Sequence, residues 1–245
     1  SYWWTRIFRF CLSQPNFKKK NNKVYILDNQ SRKRSYNKIK SKRAIYIKGD
    51  IRVKKLNFIS KIDVVYHLAY INGTVNFYKY PGEVLDVGIN GTLNLINQIN
   101  KHGRNVKKFI FASSSEVYQN THRIPTPEDS MLIVPKIKNP RYTYGGSKIL
   151  GEQLVLFYLK KKIKKIIFRP HNFYGPNMGY NHIIPEIFTK IYIKSKKLSL
   201  NKISLNIEGS GKETRSFCYI DDAVNAILKC EKAKKDEIFN VGNND

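Results

Sequence analysis

The sequence predicts an α/β chain: a doubly wound parallel sheet followed by a smaller, truncated lobe. Three observations predict it. Short, nearly continuous apolar runs recur along the first two thirds of the chain. Stretches with helical apolar spacing lie between them. The alternation then loosens after Pro176. Strands buried on both faces read as unbroken apolar runs, and strand–helix alternation is the signature of a parallel sheet with helices on its faces.

The runs are Lys23–Asp28, Ala44–Asp50, Asp63–Ala69, Lys107–Ser113 and Lys165–Arg169, each rich in β-branched or aromatic residues. Glu83–Asn100 carries Val84, Val87, Leu95, Ile96 and Ile99 at helical spacing. Tyr144–Leu159 does the same with Ile149, Leu150, Leu154, Val155 and Tyr158. Beyond Pro176 the pattern predicts a helix near Ile184–Ser195, a short strand at Leu205–Glu208, a helix at Asp221–Lys232 and a last strand at Glu237–Val241. The domain reading is therefore 1–175 for the doubly wound unit and 176–245 for part of a smaller second lobe. The chain starts at Ser1 and stops at Asp245 just after a strand, so truncation at both ends is expected.

With 45 Lys and Arg against 18 Asp and Glu, the formal charge is +27. These cations are dispersed along the chain, not gathered into an Arg and aromatic platform. A lysine-rich solvated surface accounts for them better than a nucleic-acid site. No run of apolar residues is long enough for a transmembrane helix. Cys11, Cys218 and Cys230 are odd in number and far apart, which gives neither a disulfide framework nor a metal spacing and favours a reducing, cytoplasmic compartment. Cys218 reads as a small buried filler.

The sharpest chemical signal is Tyr144-Gly-Gly-Ser-Lys148 at the opening of a helix. A spacing of four puts phenol and ammonium on one helical face. A phenol titrates near pH ~10, too high for a base at neutral pH, and a cation beside it lowers that value. Such a tyrosine can take a proton from a sugar hydroxyl while hydride leaves the same carbon. Upstream, Phe111-Ala-Ser-Ser-Ser-Glu-Val-Tyr118 ends a strand with three hydroxyls, at the strand edge where such sheets bind ligands.

Taken with these residues, Asp28, Gly49-Asp50-Ile51, His67-Leu68-Ala69, Asn90-Gly91-Thr92, Arg169-Pro-His-Asn-Phe-Tyr-Gly-Pro176 and Arg215-Ser-Phe-Cys-Tyr-Ile-Asp-Asp222 stand in a fixed order. In that order the chain resembles the extended short-chain dehydrogenase/reductases that act on nucleotide sugars, the NAD-dependent epimerase/dehydratases. The resemblance implies a Rossmann-type fold, bound NAD, a nucleotide-diphosphate sugar as substrate and pairing of two copies through helices. It implies Tyr144 as acid/base, Lys148 on the nicotinamide ribose, and Ser114 on the sugar 4-hydroxyl. Asp28 would take the adenosine ribose diol, which favours NAD over NADP. Asp50 and Ile51 would flank the adenine, and Leu68 and Ala69 would line the groove. Tyr70 stands where the family commonly has Ala, which narrows that groove. Pro170 and His171 would lie near the nicotinamide, His171 for shape more than for proton transfer. Asn172 and Arg215 would hold the diphosphate. Asp28 as a mere strand terminator, Arg215 as a surface charge and Arg169 as a structural ion pair stay open, and Arg169 is left outside the site.

Three reactions share this scaffold: 4-epimerisation, 4,6-dehydration and oxidation with decarboxylation. Glu116 is the residue that separates them. Dehydratases and decarboxylases often carry an acid there, dehydratases with an Asp before it, where this chain has Ser115. Glu116 as a backbone cap is the competing account. The expected order is 4-epimerase first, decarboxylase or dehydratase second, with an inactive relative as a further alternative. That alternative arises because residues 1–16 contain no glycine. The family opens with Gly-x-x-Gly-x-x-Gly, whose backbone meets the pyrophosphate at a helix N-terminus. Two Trp codons read one base later encode Gly-Gly, so this segment reads as a frameshifted glycine loop. As written, Trp3, Trp4 and Arg6 would occupy pyrophosphate space, and weak NAD binding is expected.

Overall fold

The structure is a computed structural model that describes residues 22–31, 41–121, 123–176, 178, 182–197, 203–206, 210–212 and 214–243. Residues 1–16, including the glycine-less opening, lie outside the described residues.

Four parallel strands form the main sheet in the order β3 (Val64–His67), β4 (Lys108–Ala112), β5 (Lys164–Pro170), β8 (Glu237–Val241). A parallel pair, β1 (Val24–Asp28) and β2 (Ala44–Lys48), runs in register from Val24↔Ala44 to Asp28↔Lys48. The sheet sorts its side chains with the two-residue period of a strand. Phe109, Phe111 and Ile167 enter one apolar cluster, with Leu95, Ile96 and Ile99 of helix α2 (Pro81–His102). Ile110, Ile166 and Phe168 enter the other, with Ala223, Val224 and Ile227 of helix α5 (Ile220–Glu231). Both faces are covered, which is why these runs alternate so little in hydropathy.

The helices obey their local rules. α2 starts with Pro81, carries Glu83 in its first turn and Lys101 and His102 in its last, matching the helix dipole. In α5, Ile220, Ala223, Val224 and Ile227 make one buried stripe, with Asp221 and Asp222 at the positive end. A short helix α1 (Thr74–Lys79) precedes α2; α3 (Thr143–Gln153) carries the tyrosine and lysine and ends in a π turn at Leu154–Tyr158. Helix α4 spans Ile183–Lys197.

Two features differ from the sequence reading. Leu205 and Asn206 are irregular instead of opening the expected strand at Leu205–Glu208. The short pairing forms between β6 (Asn172–Tyr174) and β7 (Phe217–Tyr219), where Phe173 and Cys218 are buried against α5 residues and give the ladder its driving force. The C-terminal strand β8 pairs with β5 from Ile166↔Glu237 to Pro170↔Val241, so the chain past Pro176 returns to the main sheet. Among the described residues no helix is long and apolar enough to cross a membrane.

Candidate active site

The tyrosine–lysine pair is built where α3 crosses the carboxyl end of β4. Asn139 caps the turn ahead of α3, its side-chain oxygen accepting the Arg141 N–H at 2.9 Å. Gly145 lets the first turn of α3 sit against the 115–117 turn, since a Cβ there would stand 3.0 Å from the Glu116 carbonyl oxygen. Tyr144 is buried and stacked on Phe77 of α1, with ring centroids 4.9 Å apart and planes 16° apart. One turn on, Lys148 is also buried, and its Nζ lies 5.5 Å from the Tyr144 ring centroid. The two groups therefore converge on one side of the helix, as the four-residue spacing requires.

The ammonium of Lys148 donates to the Ala112 carbonyl and rests over the Tyr70 ring at 3.2 Å. Burial pushes its titration well below the ordinary lysine range, and Glu152 opposes that in part. Ser114 is buried beside the same strand end, and its Oγ accepts the Glu116 N–H at 3.2 Å.

The Glu116 carboxylate is paired with a cation among the described residues. Arg141 grips it in a bidentate pair, Nη1 to Oε2 at 2.6 Å and Nη2 to Oε1 at 2.9 Å. The same guanidinium lies 5.3 Å from the Phe77 ring, so Glu116, Arg141, Phe77 and Tyr144 form a continuous stack. Arg141 is a partner of the candidate site residues that the sequence reading missed; the capping turn directly ahead of Tyr144 was the signal available for it.

Beneath the helix, Glu152 and Arg169 form a buried pair, with Nε to Oε1 at 2.9 Å and Nη2 to Oε2 at 2.7 Å. Ser113 donates to the same carboxylate. Arg169 also donates to Tyr118 and to the Glu128 carbonyl, both at 2.7 Å. Burial is the largest single influence and works against its charge, but the bonds to Glu152 and Tyr118 and the Glu152 charge together outweigh it and raise its pKa. Arg169 is thus the structural ion-pair residue, tying α3 to β5. His67 is buried as well. Thr92 donates its hydroxyl proton to the Gly88 carbonyl at 2.6 Å, so it accepts from His67 Nε2 at 2.9 Å. Nδ1 is then a bare acceptor with no hydrogen-bond partner among the described residues. Burial, with the Lys148 charge, lowers the imidazole to about 3.

Of the expected cofactor residues, Asp28 closes β1 and accepts the Gln30 N–H at 2.6 Å. Asp50 follows β2 and is held by Arg52 through Nε at 3.0 Å and Nη2 at 2.5 Å, which keeps its carboxyl below the usual range. Arg52 reaches on to Asp86 of α2 at 2.6 Å. Ile51 packs on the core beneath α2, and Leu68 and exposed Ala69 follow β3. Pro170 ends β5, and His171 donates its N–H to Val241 at 2.9 Å, its ring titration lowered by burial. Asn172 and Arg215 come together at one end of the β6–β7 pair and are exposed. The Asn172 side chain donates to the Ser216 carbonyl at 3.2 Å, and Arg215 to Thr214 at 2.7 Å.

A dinucleotide can be tested against these positions. Acidic acceptors and apolar walls stand at the carboxyl ends of successive parallel strands, where such sheets hold dinucleotides. That donor and acceptor set fits an adenosine half. At the other half Lys148, whose Nζ lies beside the Tyr144 ring, is the residue that would meet a ribose.

Fold and site together define a parallel-sheet α/β protein with a tyrosine–lysine pair at the ligand-binding strand edge. The chain belongs to the NAD dependent epimerase/dehydratase family, whose model matches residues 14–242. It is 31% identical over 242 residues to a dTDP-D-glucose 4,6-dehydratase of Dictyostelium discoideum, covering 91% of this chain and 52% of that protein. It is 31% identical over 240 residues to a UDP-N-acetyl-alpha-D-glucosaminuronate decarboxylase of Bacillus cytotoxicus, covering 93% of this chain and 69% of that one. The chain therefore spans about half the length of the first relative. Its fold is similar to a UDP-glucose 4-epimerase of Thermotoga maritima solved with UDP-glucose, at a TM-score of 0.77 and 24% identity over 98% of this chain and 73% of that one. It is also similar to a dTDP-glucose 4,6-dehydratase of Streptomyces venezuelae solved with NAD, at 0.79 and 19% over 98% and 72%.

Proposed function

We propose that the chain is an NAD-dependent nucleotide-sugar 4-epimerase working through a 4-keto sugar. The observation that carries this is the convergence of buried Tyr144 and Lys148 beside Ser114 at the carboxyl end of β4. Asp28 would hold the adenosine ribose, Asp50 and Ile51 the adenine, and Leu68, Ala69, Pro170 and His171 the groove walls. The chemistry that bound NAD supplies is acceptance and return of hydride at sugar C4. Tyr144 takes the 4-hydroxyl proton, with Ser114 bridging the sugar oxygen and the phenol. The Lys148 ammonium favours the phenolate. Asn172 and Arg215 hold the diphosphate while the keto sugar turns, and Tyr144 returns the proton.

Glu116 supports epimerisation over elimination. An acid that must shuttle a C5 proton needs a carboxylate free to exchange it, and this one is gripped by Arg141 at both oxygens. The dehydratase and decarboxylase relatives keep those reactions as the second reading. The test uses the full chain with added NAD and a panel of UDP- and dTDP-hexoses and UDP-uronic acids, with products read by NMR. A C4 epimer, lost by at least about a hundredfold in Tyr144→Phe, supports the proposal. A 4-keto-6-deoxy sugar or a pentose product replaces it with the second reading. Absence of any product, with NAD not retained, makes the chain an inactive relative.

A further inference from the structure

Tyr70 lies just past β3, and its ring is the surface on which Lys148 rests. Nζ is 3.2 Å from the Tyr70 centroid, against 5.0 Å for Phe111 and 5.5 Å for Tyr144. The ring is fixed from several sides. Its hydroxyl lies 3.1 Å from the Gly88 carbonyl of α2 and 3.3 Å from the Ser147 carbonyl of α3. Tyr144 meets it edge-on, at 6.0 Å and 88°. Gly88 leaves it room, because a Cβ there would stand 2.8 Å from Tyr70 Cε1.

The ammonium at this place needs compensation, because a buried charge is costly unless it is paired. One N–H goes to Ala112. Glu152, the acid one turn further along α3, is taken up by Arg169 and Ser113. The π face of Tyr70 supplies the remainder, and a desolvated cation–π contact shifts an equilibrium by more than about tenfold.

We propose that Tyr70 is a positioning residue for the Tyr144–Lys148 pair: its ring holds the Lys148 ammonium charged beside the phenol. This rests on reading Tyr144 and Lys148 as the acid/base pair. The charged and titratable groups around the pair are Glu152 on α3, His67 at the end of β3 and Tyr70 just past it, Arg169 from β5, and Arg141 with Glu116 behind Phe77.

The experiment is NMR of the full chain, with 13C in the lysine ε-carbons and the tyrosine ζ-carbons, assigned with Lys148→Met and Tyr144→Phe. In the wild type the Lys148 ε-protons are displaced upfield by the Tyr70 ring current. Tyr70→Phe keeps that displacement and the wild-type Tyr144 titration. Tyr70→Leu abolishes the displacement and moves the Tyr144 titration up by about one pH unit. Lys148 ε-protons at the ordinary lysine position in the wild type overturn the proposal, as does a Tyr144 titration unmoved in Tyr70→Leu. If Tyr70→Leu does not fold, the wild-type and Tyr70→Phe spectra decide alone. Neither readout needs turnover, so an inactive chain with an upfield Lys148 sinks the proposed reaction and leaves the role of Tyr70 standing.

Discussion

Replacing Arg169 with Met removes the cation of a pair whose side chains are only 3% and 4% exposed. It deletes two bonds to Glu152, at 2.9 and 2.7 Å, and those to Tyr118 and the Glu128 carbonyl, each at 2.7 Å. Glu152 is left as a buried carboxylate that keeps the Ser113 hydrogen bond and the Lys148 charge but has lost its bidentate partner. Stranding one member of a buried pair costs about 3–5 kcal/mol, a large part of the ~5–15 kcal/mol that holds a domain folded. The contrast is Glu116 with Arg141, where 30% and 28% exposure puts the pair in the regime worth about 0.2–1 kcal/mol. Adding Glu152→Leu to Arg169→Met removes the orphaned charge, so the double variant should recover about half of the loss, with a coupling of ~2 kcal/mol or more. Urea unfolding at pH 7, followed by circular dichroism, measures all four corners of the cycle. A single-variant cost below about 1 kcal/mol, or additivity within about 0.5 kcal/mol, would refute the view that this pair anchors α3.

Two further predictions concern the same helix packing. His67 titrates at about 3 when folded, and at ~6.5 in an unfolded chain, because burial and then the Lys148 charge disfavour the imidazolium. With the folded value depressed, its stabilising contribution is complete above pH ~6.5 and is lost as pH falls from there towards 3, by up to about 1.4 kcal/mol per pH unit. Urea midpoints at pH 7, 6 and 5 should fall less in His67→Gln than in the wild type; parallel slopes would show that His67 carries no such linkage. Gly88→Ala should lower the melting temperature although alanine favours a helix by about 1 kcal/mol, because overpacking costs about 1–3 kcal/mol. The new methyl would stand 2.8 Å from Tyr70 Cε1 and 3.0 Å from Ser147 Cβ. A melting temperature equal to or above the wild type would show that the ring gives way freely.

The sheet was legible from sequence because burial on both faces writes itself locally. Phe109, Ile110 and Phe111 are one unbroken apolar run, and they go to opposite clusters. The tyrosine–lysine convergence was legible for a similar reason: a helix of fixed pitch puts positions four apart on one face wherever it lies. The β6–β7 pairing was not legible, since its strands are short and separated by a long stretch of chain, and a ladder there depends on which partner the fold delivers. The return of β8 to β5 likewise joins residues far apart in the chain.

The side-chain partners of the site were decided by tertiary structure alone. From sequence, Glu116 is open between an acid at the substrate and a backbone cap, and Arg169 is an ambiguous cation. Packing gave the first to Arg141, 25 residues along the chain, and the second to Glu152, 17 residues away. Tyr70 was visible only as an oversized residue in a groove, and its contact with Lys148 exists because the segment after β3 is packed against both α2 and α3. Periodicity and spacing are local and survive in the sequence. Which charge meets which is settled by proximity and desolvation, and both exist only once the chain is packed.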